Sequence, residues 1–250
     1  MWKLWTASLV LVAVSVLPME GVAQQEGEVT IRWYGHATFS VTSSTGLRVV
    51  IDPYGEIGYP LPVLEGDVVT ISHEHRDHNN ARLVKGNPVV LRGLTEGGKD
   101  WNRIEWSRGS VRIYSVPVYH DAELGAKRGK NSAFVYEMDG IRLAQLGDLG
   151  HILTEDQLRA LGRVDVLMVP VGDGPFTIGG QEATRVVEQV RPRVVIPMHY
   201  KTEARPDWPG TDTGPFLQGK RNVRQLGGHT LKLSKAHLPR ETEIVVMTYR

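Results

Sequence analysis

The chain has 250 residues and a nearly balanced charge, with 29 basic against 28 acidic side chains and a formal net charge of +1. No block of basic residues dominates, so the composition argues against nucleic acid as an obligate partner. The absence of cysteine excludes a disulfide framework and thiolate ligands, so any metal has to be held by His, Asp or Glu.

The N-terminus has the pattern of a secretory signal. Lys3 precedes an apolar run from Ala7 to Leu17, and small residues lead to Ala23. We expect residues 1–23 to be a cleaved signal peptide and residues 24–250 to form one exported domain, periplasmic or secreted. The apolar run is short for a permanent membrane span, although an uncleaved N-terminal anchor is the alternative.

Short runs rich in β-branched and aromatic residues open the domain. The segments VTIRWYG, TFSVTSS and GLRVVID predict three strands, the last of which ends at Asp52, and GDVVTIS predicts a fourth strand that leads into ISHEHRDHNN. The segment NNARLVKGNP, closed by Gly86 and Pro88, predicts a short helix. VVLRG and SVRIYSVPVYH predict two further strands.

The second half of the chain mixes strands with helices. Asp139-Gly140 between two apolar runs predicts a hairpin, and Thr154 with Gln157 three residues later predicts a capped helix over LTEDQLRAL. A second helix is predicted over GQEATRVVEQV, and strands over VDVLMVPVG, RVVIPMHY, LKLS and EIVVMTY. These elements predict an α/β fold in which two sheets pack together and are covered by helices.

Potential metal ligands follow directly after predicted strands. One loop supplies four of them, and three later strands each end near one more: His73, His75, Asp77, His78, His120, Asp148 and His199. Six donors and a carboxylate that can bridge are enough for two adjacent metal ions, each with room for water. Imidazole and carboxylate ligands suit zinc, iron or manganese.

The His-x-His-x-Asp-His loop and the order of the three later residues resemble the metallo-β-lactamase superfamily over nearly all of the mature chain. The resemblance implies an αββα sandwich of two mixed β-sheets flanked by helices, with the metals at one edge. It also implies a division of the ligands: His73, His75 and His120 for the first metal, Asp77, His78 and His199 for the second, and Asp148 as the bridge.

Three shorter motifs narrow the resemblance. WYGHATF, IDP and PMHY are similar to the branch of predicted metal-dependent hydrolases that includes the ascorbate-6-phosphate lactonase. In that branch a histidine near the N-terminus lies close to the metal centre, which implies such a place for His36.

The implied chemistry is hydrolysis. Two divalent ions, with Zn²⁺ expected and Mn²⁺ or Fe as alternatives, lower the pKa of a shared water and present hydroxide to a carbonyl or phosphorus centre. We expect Asp77 to orient the hydroxide and relay its proton, and His36 to donate to the substrate or leaving group. The predicted function is an exported hydrolase of an ester-like bond (lactone, phosphodiester or carboxylic ester) in a small molecule.

Three alternatives stay open. The first is a metallo-β-lactamase proper, against which stand the short stretch from His78 to His120 and the WYGHATF opening. The second is a redox member of the superfamily with a di-iron centre. The third is a metal-binding scaffold without turnover.

Several residues near the ligands are candidates for lesser roles. Tyr200 and Asn131 are candidate substrate-binding residues, and His151 either orients a ligand or simply starts a helix. The KRGK cluster from Lys127 to Lys130 either grips an anionic substrate or is a solvated loop.

Overall fold

The structure is a computed structural model that describes residues 1–2 and 27–249. The predicted signal peptide falls almost entirely outside the described residues and stays a prediction. Within the described ranges, no helix has the length and apolar character needed to cross a membrane.

The described residues form sixteen strands and three α-helices. The strands are β1 (Glu28–Gly35), β2 (Thr38–Thr42), β3 (Arg48–Ile51), β4 (Leu64–Glu65), β5 (Val68–Ile71), β6 (Val84–Lys85), β7 (Val89–Arg92), β8 (Glu105–Arg108), β9 (Val111–Tyr119), β10 (Lys130–Met138), β11 (Ile141–Gln145), β12 (Val166–Pro170), β13 (Val194–Met198), β14 (Val223–Gln225), β15 (Thr230–Ser234) and β16 (Glu243–Val246). The helices are α1 (Glu155–Leu161), α2 (Gly180–Val190) and α3 (Gly214–Leu217).

Two mixed sheets carry the fold. The first has six strands in the order β15-β1-β2-β3-β5-β7, and the second has eight in the order β14-β16-β13-β12-β11-β10-β9-β8. In the first sheet β3, β5 and β7 run parallel, and in the second β11, β12 and β13 do. The predicted sandwich of mixed sheets is therefore confirmed.

The main core lies between the two sheets. Trp33 and Phe39 of the first sheet belong to one buried cluster with Phe134, Met168 and Ile196 of the second. Buried and more exposed residues alternate most clearly in β1, where every second residue is buried. Burial of this apolar surface is the main force that holds the sheets together.

The outer faces of the sheets are covered differently. Leu161 of α1, Val186 of α2 and Phe216 of α3 all pack into a second buried cluster on the outer face of the second sheet. The outer face of the first sheet packs instead against Leu64 and Val84, which belong to the short ribbon of β4 and β6.

Most local predictions in the second half are confirmed. Asp139 and Gly140, with φ of 50° and 72°, form the turn between antiparallel β10 and β11. Thr154 and Gln157 make the reciprocal hydrogen bonds of a capping box at the start of α1.

The helix predicted over NNARLVKGNP is wrong. Only Ala81–Leu83 form a single 3₁₀ turn, whose first residue has no side-chain cap. The chain then becomes extended, because Val84 pairs with Leu64 and buries its side chain there. Pairing with a distant strand overrides the weak local preference for a helix.

The strand ends that precede the candidate ligands converge. His73 lies two residues beyond β5, His120 follows β9, Asp148 lies three residues beyond β11, and His199 follows β13. The sandwich therefore delivers ligands from both sheets to one edge.

Candidate metal centre

The structure brings together all seven predicted ligands and His36. Their ligand atoms form two groups, and within each group the atoms lie within 4.8 Å of one another: His73, His75, His120 and Asp148 in the first, and His36, Asp77, His78 and His199 in the second. Only His75 is exposed and Asp77 half-buried, so the open side of the centre lies at these two residues.

Asp148 connects the two groups. Its Oδ1 lies 3.2 Å from Nε2 of both His78 and His199. Its Oδ2 lies 3.2 Å from Nε2 of His120 and 3.7 Å from Nε2 of His73. One carboxylate therefore directs one oxygen to each group, as a bridging ligand would.

Several buried polar atoms of the centre have no hydrogen-bond partner among the described residues. They are Nε2 of His78, both ring nitrogens of His120 and of His199, and Oδ1 of Asp148. Buried polar atoms are almost always paired, and an unpaired cluster calls for an explanation such as a bound ion. Nitrogen and oxygen donors at this density fit divalent transition metals.

The histidines of the centre differ in their preferred charge. Burial and neighbouring His199 lower the pKa of His36 to about 3, although Asp77 opposes the shift. Burial also lowers the pKa of His73. Both imidazoles are therefore neutral at pH 7, which is the form that binds metal.

Carboxylates concentrate negative charge around His78. Burial alone would lower the pKa of His78, but Asp148, Asp77 and Asp52 outweigh it and raise that pKa well above its ordinary value. Burial would likewise raise the pKa of Asp77, but His78 and His36 hold it below its ordinary value. Carboxylates that stay ionised and stabilise positive charge at this point are suited to a cation.

Asp52 contacts the candidate ligands, a position that was not predicted from the sequence. Its fully buried carboxylate accepts hydrogen bonds from Ser72 N and Ser72 Oγ, both 2.7 Å, and from Gln145 Nε2 at 3.0 Å. His78 Nδ1 lies 3.1 Å from Asp52 Oδ2, and Ser72 Oγ lies 2.9 Å from His73 Nδ1. Asp52 therefore orients two ligands from behind.

Three residues at the centre have a left-handed backbone conformation. His36, Asp52 and His199 have φ of 51°, 43° and 53°, a region that residues other than glycine rarely adopt. The carbonyl of His36 accepts from the backbone N–H of His199 and from Trp33 Nε1, both at 3.1 Å. Strain that surrounding contacts hold in place is typical of functional sites.

The other candidates lie in different surroundings. Tyr200 packs on Trp33 with ring centroids 5.5 Å apart and lines a separate cavity of about 520 Å³. Asn131 is fully buried, and its amide donates to the carbonyl of Leu146. Trp208 is instead an aromatic residue that lies beside the centre, with its ring centroid 5.4 Å from that of His199 and 5.5 Å from that of His36.

His151 braces the strand end that carries His120. Its Nε2 accepts from the backbone N–H of Tyr119, and its Nδ1 lies 2.8 Å from the carbonyl of Ile152. These two bonds fix the neutral tautomer with the proton on Nδ1, and burial lowers the pKa of His151 accordingly.

The sandwich and its centre together define a class. A sheet edge that gathers histidines and carboxylates into two groups sharing one carboxylate is the mark of a metal-dependent hydrolase built on a β-sandwich scaffold.

Comparisons with known proteins identify the family. The β-lactamase superfamily domain matches residues 30–199. A UPF0173 metal-dependent hydrolase from Thermococcus onnurineus is 32% identical over 214 residues, which cover 75% of this chain and 89% of the relative. Its counterpart from Archaeoglobus fulgidus is 31% identical over 201 residues, which cover 69% of this chain and 83% of the relative. The chain belongs to the metallo-β-lactamase superfamily and, within it, to the UPF0173 metal-dependent hydrolases.

A solved structure agrees with this assignment. A protein from Thermotoga maritima, described as a Zn-dependent hydrolase of the metallo-β-lactamase superfamily, is 36% identical with a TM-score of 0.69, covering 88% of this chain and 98% of its own. The finer resemblance to the branch with the ascorbate-6-phosphate lactonase stays a prediction.

Proposed function

We propose that this protein is a dinuclear hydrolase that cleaves an ester-like bond in a small molecule: a lactone, a phosphodiester or a carboxylic ester. The observation that carries the proposal is the Asp148 carboxylate, with one oxygen directed to each ligand group. Two divalent ions held there, with zinc fitting the imidazole-rich donors, would supply Lewis acidity and a water of lowered pKa.

Asp77 is the proposed proton acceptor. Its side chain is 22% exposed, whereas that of Asp148 is 3% exposed, so Asp77 is the carboxylate of the centre that solvent reaches. Its lowered pKa keeps it ionised at neutral pH. A candidate base needs both this access and this charge state.

His36 is the proposed partner of Asp77. Its Nε2 lies 3.1 Å from Asp77 Oδ2, and a neutral His36 with its proton on Nε2 donates to that oxygen. This hydrogen bond orients the carboxylate toward the open side of the centre, where a substrate approaches. His36 therefore acts on the reaction through Asp77.

The test is proton release in a pH-stat by protein loaded with zinc, manganese or iron. The substrates are lactones, phosphodiesters, carboxylic esters and β-lactams, and metal content is measured by emission spectroscopy. We expect two ions per chain, turnover of one ester-like class, and loss of that turnover in Asp148→Asn.

Asp67→Asn is the matched control, because Asp67 is a carboxylate away from the centre that accepts a hydrogen bond from Arg48 N. Absence of turnover in every metal form would overturn the hydrolase proposal. Preference for β-lactams would make the protein a β-lactamase instead.

Export is part of the same proposal, supported by the apolar run that ends before Ala23. In a cell fractionation, the mature protein is expected outside the cytoplasm with Gln24 as its first residue. A cytoplasmic protein that retains Met1 would contradict it.

A further inference from the structure

Two arginines and two aromatic rings form a stack beside the metal centre. The rings of Phe176 and Trp208 lie 4.8 Å apart between centroids. The guanidinium carbon of Arg128 lies 4.8 Å from the centre of the Phe176 ring, and that of Arg205 lies 4.7 Å from the centre of the Trp208 ring. We call these four residues, which come from three separate loops, the arginine-aromatic stack.

The stack borders both ligand groups. Trp208 contacts the rings of His36 and His199 in the second group. A cavity of about 540 Å³ has Arg128, Phe176 and His120 of the first group in its lining. Arg128 and one candidate metal ligand therefore share the lining of one cavity.

Arg128 is one of the two cations that line the cavity, together with the carboxylates of Asp121 and Glu123. Its neighbour Lys127 pairs with Glu123, and the carboxylate of Asp121 is occupied by backbone N–H groups. Within residues 27–249, no carboxylate lies within 4.0 Å of the Arg128 guanidinium. A guanidinium that lies over an aromatic ring can still donate hydrogen bonds from its N–H groups to an anion.

The loop that carries Arg128 is already ordered by hydrogen bonds to the Asp121 carboxylate. Asp121 Oδ1 accepts from the backbone N–H groups of Glu123 and Gly125 at 2.8 and 2.9 Å. Its Oδ2 accepts from those of Lys127 and Arg128 at 3.0 and 2.7 Å. Because the loop and the stacked side chain are already ordered, little conformational entropy is lost when Arg128 binds a ligand.

We propose that Arg128 is a specificity-determining residue that binds an anionic group, a carboxylate or a phosphate monoester, on the substrate. Planar guanidinium groups bind both anions through paired, charge-assisted hydrogen bonds. The inference rests on the proposed hydrolytic function, since it names the class of ester that the centre cleaves: one with an acidic group apart from the scissile bond.

The kinetic test compares two esters with the same leaving group. Zinc-loaded protein is offered para-nitrophenyl acetate, which is neutral, and the mono-para-nitrophenyl ester of succinic acid, which carries a free carboxylate. We expect wild type to prefer the succinate ester. In Arg128→Gln, the KM for the succinate ester should rise about tenfold, with kcat nearly unchanged. A tenfold change corresponds to the low end of what a hydrogen bond to a charged group contributes.

Two further variants sharpen the comparison. Arg128→Lys keeps the charge and should recover part of the lost affinity. Arg108→Gln is the matched control, because Arg108 also stacks on an aromatic ring, Trp106, but lies near the start of β9, at the end opposite His120. An equal loss for both esters in Arg128→Gln would make the residue structural and overturn the proposal, as would no loss for either.

A binding measurement separates this proposal from the hydrolase proposal. Succinate and phenylphosphate are titrated into zinc-loaded wild type, Arg128→Gln and Arg108→Gln by calorimetry. About tenfold weaker binding of either anion in Arg128→Gln alone supports the anion site even if no ester is hydrolysed, and the larger loss identifies the preferred anion. Equal dissociation constants in all three proteins overturn it.

Discussion

At the scale of single residues, Asp52 supports two of the ligands through the Nδ1 atoms of their rings. His78 Nδ1 contacts its carboxylate directly, and His73 contacts it through Ser72 Oγ. A carboxylate behind a metal-binding imidazole fixes the ring orientation and tautomer and makes the other ring nitrogen a stronger ligand. The Asp52 side chain therefore bears on metal affinity without being a ligand.

We predict that Asp52→Asn weakens zinc binding by about 10- to 100-fold, the usual effect of losing such a partner. The amide has the same shape but lacks the charge that stabilises the His78 ring. Competition with a chromophoric chelator measures the affinity, and Asp67→Asn serves as the control on a carboxylate away from the centre. Unchanged zinc affinity in a folded Asp52→Asn protein would refute the role.

The sequence predicted the ligands but not their support, for a physical reason. Four ligands share one loop and the rest follow strands, so their pattern is local. The role of Asp52 depends on the approach of Ser72 and Gln145, the latter 93 residues away along the chain. Tyr200 adjoins a ligand in sequence but packs on Trp33, because the chain leaves the strand at His199 with a left-handed backbone conformation that no local pattern predicts.

At the scale of elements, two glycines allow the loops of the centre to approach. A Cβ on Gly150 would lie 2.4 Å from the carbonyl carbon and oxygen of His120, and one on Gly172 would lie 2.1 Å from the carbonyl oxygen of His199. Both contacts are with backbone, which cannot rotate away. Each glycine therefore lets a loop pack directly on the backbone of a ligand.

We predict that Gly150→Ala destabilises the fold by about 1–3 kcal/mol, the usual cost of overpacking, and weakens zinc binding by displacing His120. Gly228→Ala is the control, because nothing lies within 4 Å of its new methyl group and its φ is not positive. Chemical denaturation with and without zinc measures both effects. Equal stability of the two variants would show that the His120 loop moves freely.

The elements that the sequence predicted correctly are those with local signals. The turn at Asp139 and Gly140 and the cap at Thr154 involve residues within a few positions of one another. Strands β8 and β14 were not predicted from the sequence; they lie at the two edges of the second sheet and have no buried residue. Their assignment depends on pairing with β9 and β16, which no local pattern encodes.

At the scale of the whole molecule, the core and the metal centre are separate. The main cluster between the sheets and the cluster under the helices consist of apolar side chains, and none of the ligands belongs to either. The ligands lie at one sheet edge on loops that follow the strands. We therefore expect apolar burial to fold the sandwich without a metal, whereas metal binding needs the folded sandwich to bring the ligands together.

We predict that the metal-free protein stays folded and that zinc raises its stability through binding to the native state alone. Zinc in free excess of about 100 times its dissociation constant adds about 2.7 kcal/mol for each of the two sites, which together raise Tm by about 10–20 °C for a chain of this size. Calorimetry with zinc and with a chelator measures the difference. Asp148→Asn should lose most of this gain, because the variant lacks the carboxylate that faces both ligand groups. A chelated protein without a cooperative transition would show that the metal is needed for folding itself.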